Sequence, residues 1–561
     1  MARIIECVPN FSEGRDRVVI DQITAEICKV NGAKLLDVDP GWDTNRTVVT
    51  MVGEPEPVLE AAFNAVKKAH ELIDMRKHKG AHPRFGACDV CPIIPVSGIT
   101  MEECVALAHR LGKRLGDELD FPVYFYEYAA TTPERKNLAK VREGEYEALE
   151  ARLKDPRWKP DAGPAEFRPA KGATAVSARE FLVAYNVNLN TVDKKKANDL
   201  ALRIREQGYP KRDDKGNLVK DEKGEKIMMP GKFKNCKAIG WYVDDYKRAQ
   251  ISINLTNYKV TSMHHVFDEL SERAREAGLR VTGSELVGVV PKQALIEAGI
   301  HYLEKQGGCA GQSDAELIKI AIQSLGLSDV APFRPEEKVI EYLLHEKKGL
   351  VDLSVTGFCD LLASDAPAPG GGSVAALCGA MAASLGAMVA NLTHGKKGYV
   401  KHDDLMNDTA KEAQKRKAEF LSLIDEDTDA FNRMMAAMSA KKKAEKDGAD
   451  VERERAAIEE TEALKNATLV PLTCLEKSGA LCPLLATVAE KGNANAVSDA
   501  GVGAHLVKAA AHAAALNVRI NLNNFNDMDN FKSETLKKMN ALLAEAERGA
   551  DAIIAVVDKK L

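Results

Sequence analysis

Along the first 330 residues, apolar side chains recur in two alternating rhythms. Short β-like runs such as IIECVPN and KLLDVD are separated by stretches such as VVIDQITAEICKV and PVLEAAFNAVKKAHELIDM, whose apolar positions repeat every three or four residues. VCPIIPVSG, a further helix and PVYFYEYAA complete this first group, and from residue 181 the pattern restarts. FLVAYNVNLN predicts a strand, DKKKANDLALRIREQG a helix, AIGWYVDDYKRAQISINLTNY a hairpin, and HHVFDELSERAREAG a helix. VPNFSEG and YNVNLN are both asparagine-bearing strand ends that lead into helices, so the two groups read as similarly built α/β subdomains. Between their elements, residues 211–234 are charged and Gly-rich with little periodicity, which fits a surface hairpin or mobile loop.

The rhythm then changes. APFRPEEK at 331–338 carries two prolines and a charge run, and from Val339 onward the chain is rich in Ala, Leu, Met, Lys and Glu at helical spacing. The expected organisation is an α/β subdomain over 1–180, a second over 181–328, a linker over 329–338 and an all-helical bundle over 339–561. A length of 561 residues likewise favours three or four structural domains.

Residues 374–392, VAALCGAMAASLGAMVANL, form a charge-free run of bilayer-spanning length. The run is dominated by Ala and Gly, includes Ser384 and Asn391, and lacks flanking aromatic belts, so it reads as a buried helix of a bundle. In that reading Gly379, Ala383 and Gly386 admit close neighbours. A net charge of −5 with both signs interspersed argues against nucleic acid as a partner. The N-terminal stretch has no signal-peptide pattern, so a cytoplasmic location with the 11 cysteines as thiols is expected.

Four stretches carry candidate chemistry. HPRFGACDVC at 82–91, with His78 just upstream, admits a zinc site, a redox pair or a proton-transferring histidine. If ACDVCPIIPV is a strand, Cys88 and Cys91 point to opposite faces, and no second Cys pair completes a tetrahedral set. His82, before Pro83 and between Gly80 and Gly86, sits in a conformationally restricted loop that suits an acid/base imidazole or a solvated one. In GPAEFRPAKGATAVSARE at 163–180, freed backbone amides and the cations Arg168 and Lys171 suit an anionic or heterocyclic ligand, or a plain linker.

PAPGGGS at 367–373 opens the small-residue helix with three glycines but lacks the Gly-Lys-Ser/Thr of a phosphate loop. In FLSLIDEDTDAFNRMM at 420–435, helical spacing gives Asp429 polar neighbours. The same spacing surrounds Asp427 with Leu423, Ile424, Ala430 and Phe431. A carboxylate on an apolar stripe is costly unless it is paired or used, and desolvation raises its pKa.

Taken together, these stretches resemble the formimidoyltransferase-cyclodeaminase family, bifunctional folate enzymes of histidine breakdown. VPNFSEGRD, GAHPRFGACDV and GPAEFRPAKGA are similar to its transferase half. PAPGGGSVAA, the DEDTDAF helix and GNANAVSDAGVGAHLVKAAAHAAALNVRINL are similar to its cyclodeaminase half. The resemblance implies two ferredoxin-like subdomains with mixed sheets followed by a helical bundle. By motif it places His82 as the transferase's catalytic histidine and Asp427 as the cyclodeaminase's catalytic acid. It also assigns folate binding to Gly163, Pro164, Ala165, Glu166, Phe167, Arg168, Pro169, Ala170, Lys171 and Gly172. The implied substrates are N-formimidoyl-L-glutamate and polyglutamylated tetrahydrofolate, with no metal, no nucleic-acid or membrane partner, and a homo-oligomeric ring of dimers. Two alternatives stay open: a transferase fused to a methenyltetrahydrofolate cyclohydrolase-like bundle, and a folate-binding scaffold that has lost one activity.

Overall fold

The structure is a computed structural model that describes residues 3–42, 44–80, 83–213, 216–344, 349–447 and 450–561 except 526–529. The chain divides into two compact units, one of residues 1–298 with 322–345 and the other of 299–321 with 346–561.

The first unit contains two copies of one supersecondary pattern. In the first copy, β1 (Ile4–Cys7), α1 (Arg17–Cys28), β3 (Ala33–Gly41), β4 (Arg46–Gly53), α2 (Pro55–Leu72) and β5 (Cys88–Ser97) form a split βαβ, and β1 lies antiparallel between β4 and β5. The short β2 (Asn10–Phe11) prolongs β1 between the same two neighbours. After α3 (Met101–Leu119), β6 (Val123–Glu127) and β7 (Thr174–Ala178) add parallel strands beyond β5, which makes the sheet mixed.

In the second copy, β8 (Val183–Leu189), β11 (Cys236–Val243), β12 (Arg248–Leu255) and β13 (Val281–Val287) pair antiparallel in the order β11-β12-β8-β13. Helices Lys194–Ile204 and Met263–Glu276 connect them in the same βαββαβ sequence. The resemblance between VPNFSEG and YNVNLN therefore marks a repeated fold. Residues 211–234 hold a surface hairpin, paired through β9 (Tyr209–Pro210) and β10 (Met228–Met229).

Helices α1 to α3 cover one face of the first sheet. The alternation of β1 sends Ile5 and Cys7 into that core and Glu6 to the opposite face. Asp16 and Thr100 cap α1 and α3 by accepting hydrogen bonds from their first-turn amides.

Residues 329–338 are not the expected free linker. Pro335–Lys338 is a helical turn, and Val339, fully buried, bridges in parallel to Val290 within the first unit. The helical unit takes in residues 299–321 instead, where the Ala310 amide donates to Asn407 and Gly311 lies against Ala410. Apolar anchoring at 339–340 outweighs the linker signal of the prolines and charges just before it.

In the helical unit, Gly371–Thr393 packs against Asp403–Asp447 and Val497–Leu522. Gly379 lies on the Phe420 ring and Gly386 on Leu484, so the small residues of the 374–392 run admit large neighbours as expected.

His70 on α2 carries a testable consequence. Its ring stands edge-on to Phe121 at 4.2 Å, and among the described residues neither nitrogen has a hydrogen-bond partner. Burial, assisted by the nearby Lys171 charge, pushes its pKa from 6.5 down to about 3. The folded state therefore refuses a proton that the unfolded chain accepts. Stability is complete above pH 6.5 and falls as pH drops toward 3, by about 2 kcal/mol at pH 5. Urea unfolding at pH 7.5 and pH 5 should show this loss in the wild type. His70→Leu should be less acid-sensitive by about that amount, and an unchanged pH dependence would refute the assignment.

Candidate active site

The first unit holds a cavity of about 400 Å³ between the uncovered faces of its two sheets, lined by Glu6, Asn10, Arg46, Pro92 and Tyr126 from one copy and Ala184, Asn254 and Val287 from the other. A neighbouring chamber of about 790 Å³ shares Tyr126, Leu138, Arg142, Arg179 and Leu182 and adds Lys136 and Lys237.

A β-bulge organises the cavity's charge. Asn10 pairs with Val90 but Phe11 pairs with Cys88, so Asp89 is an extra residue in β5. The bulge changes the expectation for the cysteines. Instead of facing opposite ways, Cys88 and Cys91 join the same apolar core, where Cys91 Sγ is 3.6 Å from Cys7 Sγ. Burial raises the Cys7 and Cys88 pKa values well above the usual thiol range, the reverse of what a metal-binding or redox thiolate requires.

The Asp89 carboxylate is fully buried and accepts from Arg46 Nη1 at 2.9 Å and from Arg142 Nη1 at 2.5 Å. Arg46 also donates to Asn10 Oδ1 through Nε and Nη2. Two guanidiniums on one carboxylate, with Arg179 nearby, give one part of the cavity a positive character suited to an anionic group, while Glu6, Asp37 and Asp39 line the same cavity.

His82 lies outside the described residues. Immediately after it, the Pro83 carbonyl accepts from Arg142 Nη1 at 3.2 Å and Arg46 Nη1 at 3.4 Å, which ties that segment to the guanidinium pair. His78 has both nitrogens engaged: Nδ1 accepts from Arg84 Nε at 3.2 Å, and Nε2 lies 2.7 Å from the Asn45 carbonyl. That tautomer fixes His78 as a structural group.

The 163–172 loop borders the cavity-forming segment without lining the cavity itself. Gly172 bridges to Gly86, and the Ala87 amide donates to the Lys171 carbonyl. Gly163 (φ +75°) and Gly172 (φ +72°) take left-handed conformations, and a side chain at either would strike the Phe121 or Phe85 carbonyl. Within the loop, Phe167 stacks at 5.6 Å from Tyr146, whose hydroxyl donates to the Pro169 carbonyl, and the Ala170 carbonyl accepts from the Met75 amide. Its cations are already engaged, Arg168 with Asp120 and Glu166 and Lys171 with the Leu119 carbonyl. A ligand would meet fixed backbone and an aromatic ring here, and would draw on the cations only by exchanging their partners.

In the helical unit the GGGS turn and the DEDTDAF helix meet. Asp427 is half-buried amid Phe420, Leu423, Ile424 and Ala430, all buried, whereas Asp429 is exposed, as the helical phasing requires. Ser373 Oγ donates to Asp427 Oδ2 at 3.2 Å, and the Ser373 amide also bonds the carboxylate. Gly372 is needed here, because a methyl group at that position would come within 2.1 Å of Asp427 Oδ1. Burial raises the Asp427 pKa, and the two Ser373 bonds at the helix N-terminus pull it partly back. The result is a half-buried titratable carboxyl on an apolar stripe of its helix, held by Ser373 and suited to moving a proton.

Sequence reasoning did not single out Glu6, Arg46, Asp89, Arg142 or Arg179. The usable signal was a lone charge inside an apolar strand, as Glu6 is in IIECV and Asp89 in ACDVC.

Three family models match the chain: "Formiminotransferase domain, N-terminal subdomain" over residues 4–179, "Formiminotransferase domain" over 184–345, and "Formiminotransferase-cyclodeaminase" over 354–541. The chain is similar to the formimidoyltransferase-cyclodeaminase of Mus musculus, with 41% identity over 563 residues covering 100% of both chains. Its first part is similar to the glutamate formimidoyltransferase of Streptococcus pyogenes, 42% identical over 304 residues, 54% of this chain and 94% of that one. Its last part is similar to the methenyltetrahydrofolate cyclohydrolase of Methylorubrum extorquens, 39% identical over 208 residues, 37% of this chain and 97% of that one.

Proposed function

The chain belongs to the formimidoyltransferase-cyclodeaminase family, and on that premise we propose that it catalyses two successive steps of histidine degradation. The first unit transfers the formimidoyl group of N-formimidoyl-L-glutamate to N5 of tetrahydrofolate. The helical unit then closes 5-formimidoyltetrahydrofolate to 5,10-methenyltetrahydrofolate and releases ammonia. The observation that carries this reading is the end-to-end match to a bifunctional relative by a chain that has a built site in each unit.

In the first step N5 attacks the amidinium carbon. One nitrogen then sheds a proton and the departing glutamate nitrogen gains one, a shuttle that a single imidazole performs. His82 is assigned that role. Its sequence neighbour Pro83 is bonded to the guanidinium pair that would take a substrate carboxylate. The 163–172 loop is assigned to folate, supported by its anchoring to Gly86 and the Phe167 ring.

In the second step N10 attacks and ammonia leaves. Asp427, with its raised pKa and low-polarity surroundings, is assigned the proton transfer. Neither step calls for a metal.

Polyglutamylated folate is the proposed form of the co-substrate, supported by Lys136, Arg142, Arg179 and Lys237 around the larger chamber. A homo-oligomeric ring of dimers is supported by Met381, Met388 and Leu392, which are exposed along one face of Gly371–Thr393. A cytoplasmic location agrees with eleven unpaired thiols.

A second reading, a cyclohydrolase-like helical unit, is favoured by the similarity to the Methylorubrum protein. Mixing the full chain with N-formimidoyl-L-glutamate and tetrahydrofolate separates the two. The proposal expects one ammonia per methenyltetrahydrofolate formed. Accumulation of 5-formimidoyltetrahydrofolate without ammonia release, together with hydrolysis of separately supplied methenyltetrahydrofolate, would favour the second reading.

A further inference from the structure

We propose that Glu6 binds the positively charged formimidoyl group of the donor, making it the residue that selects cationic one-carbon donors at the transferase site. This rests on the reading of the 400 Å³ cavity as that site.

The two buried acids at this cavity, Glu6 in its lining and Asp89 behind Arg46 and Arg142, are unequally partnered. Asp89 is held by Arg46 and Arg142. Glu6, on the same face of the sheet, is only 2% exposed and lines the cavity, and its carboxyl makes no hydrogen bond among the described residues. The cost of burying a carboxyl in this way is recovered only when a donor arrives.

The other charges facing the cavity are Arg179, Arg46 and Arg142 on the positive side and Asp37 and Asp39 on the negative side. Arg179 alone acts appreciably on Glu6, and it does not offset burial, which pushes the Glu6 pKa up to about 7. The empty site thus holds a carboxyl that is half protonated near neutrality.

N-formimidoyl-L-glutamate has a matching charge pattern. Its carboxylates fit the guanidiniums. Its protonated amidine is planar and presents N–H donors in a fork, the geometry that pairs two-to-two with a carboxylate. On binding, a protonated Glu6 releases its proton to solvent and the amidinium keeps its own, so a carboxylate–amidinium pair replaces an unpaired acid. Glu6 makes no covalent bond. It fixes the amidinium carbon in the cavity, and a neutral amide analogue gains nothing from it.

The test uses the full chain, with calorimetric binding of N-formimidoyl-L-glutamate between pH 6 and pH 8 and formamidinium chloride as a competitor. The wild type should bind more weakly as pH falls through about 7 and release a proton on binding at pH 7 or below. Formamidinium should compete. Glu6→Gln, of the same shape and hydrogen-bonding reach, should fold with unchanged or higher Tm. It should bind the donor about 30-fold more weakly, lose the proton release and ignore formamidinium. Its KM for tetrahydrofolate should stay within about twofold.

Wild-type donor affinity and proton release in Glu6→Gln would overturn the proposal. Arg142→Met identifies which inference has failed. If that variant loses donor binding while Glu6→Gln does not, the cavity is the site and Glu6 is not its cation partner. If neither variant loses binding, the assignment of the cavity falls as well.

Discussion

Asp427→Asn is expected to abolish ring closure while leaving formimidoyl transfer intact. The substitution preserves volume and lets the Ser373 hydroxyl and amide keep an acceptor, so the junction between the GGGS turn and its helix should survive. Only the titratable proton is lost, and general acid–base groups of this kind contribute roughly 10²- to 10⁴-fold. The variant should consume N-formimidoyl-L-glutamate at the wild-type rate, accumulate 5-formimidoyltetrahydrofolate and release no ammonia. Asp429→Asn is the control, because Asp429 is exposed on the opposite side of the helix and should behave as wild type. Sensitivity at Asp429 with tolerance at Asp427 would show that the wrong carboxylate has been assigned.

His82→Ala should have the mirror-image effect. Transfer should fall by about 10³-fold, the size expected when a proton shuttle is removed, while supplied 5-formimidoyltetrahydrofolate is still cyclised. Substitution of the two cysteines provides the control. Because Cys88 and Cys91 lie in the core, serine would bury a hydroxyl there, whereas alanine removes the sulfur without adding a polar group. Cys88→Ala and Cys91→Ala should leave transfer within about twofold of wild type once the protein is folded. Complete loss in either alanine variant, with Tm preserved, would revive a thiol-dependent mechanism.

Much of this architecture was legible because it rests on local periodicity. The division into two similarly built α/β subdomains followed from alternating rhythms, although β4 and β13 were not among the expected strands, and the placing of Asp427 among Leu423, Ile424 and Ala430 followed from 3.6-residue spacing that a long helix obeys. What stayed hidden depended on tertiary pairing. β4 reads RTVVTMVG, in which the polar Arg46, Thr47 and Thr50 do not alternate with the apolar positions as in a half-exposed strand. Asp89 meets partners 43 and 53 residues away in sequence, and the bulge that turns it toward them is visible only in the register with β2. The same bulge made the cysteine orientation wrong, since strict alternation assumes no inserted residue. The linker signal at 331–338 was real in composition, but the buried Val339 and Ile340 anchor that segment to the first unit. In the 163–172 loop the glycine requirement was legible, whereas the pairing of Arg168 and Lys171 with residues near 120 was not.

Two independent sites on one chain, joined by a folate intermediate, require that variants of the two sites complement one another. Mixing purified His82→Ala with Asp427→Asn tests this most directly, in the presence of N-formimidoyl-L-glutamate and tetrahydrofolate. Each variant alone should form almost no methenyltetrahydrofolate. Together they should restore its formation with one ammonia per product, because one variant supplies the 5-formimidoyltetrahydrofolate that the other cyclises. A mixture as inactive as its components, with each variant shown to have lost both partial reactions, would contradict the account.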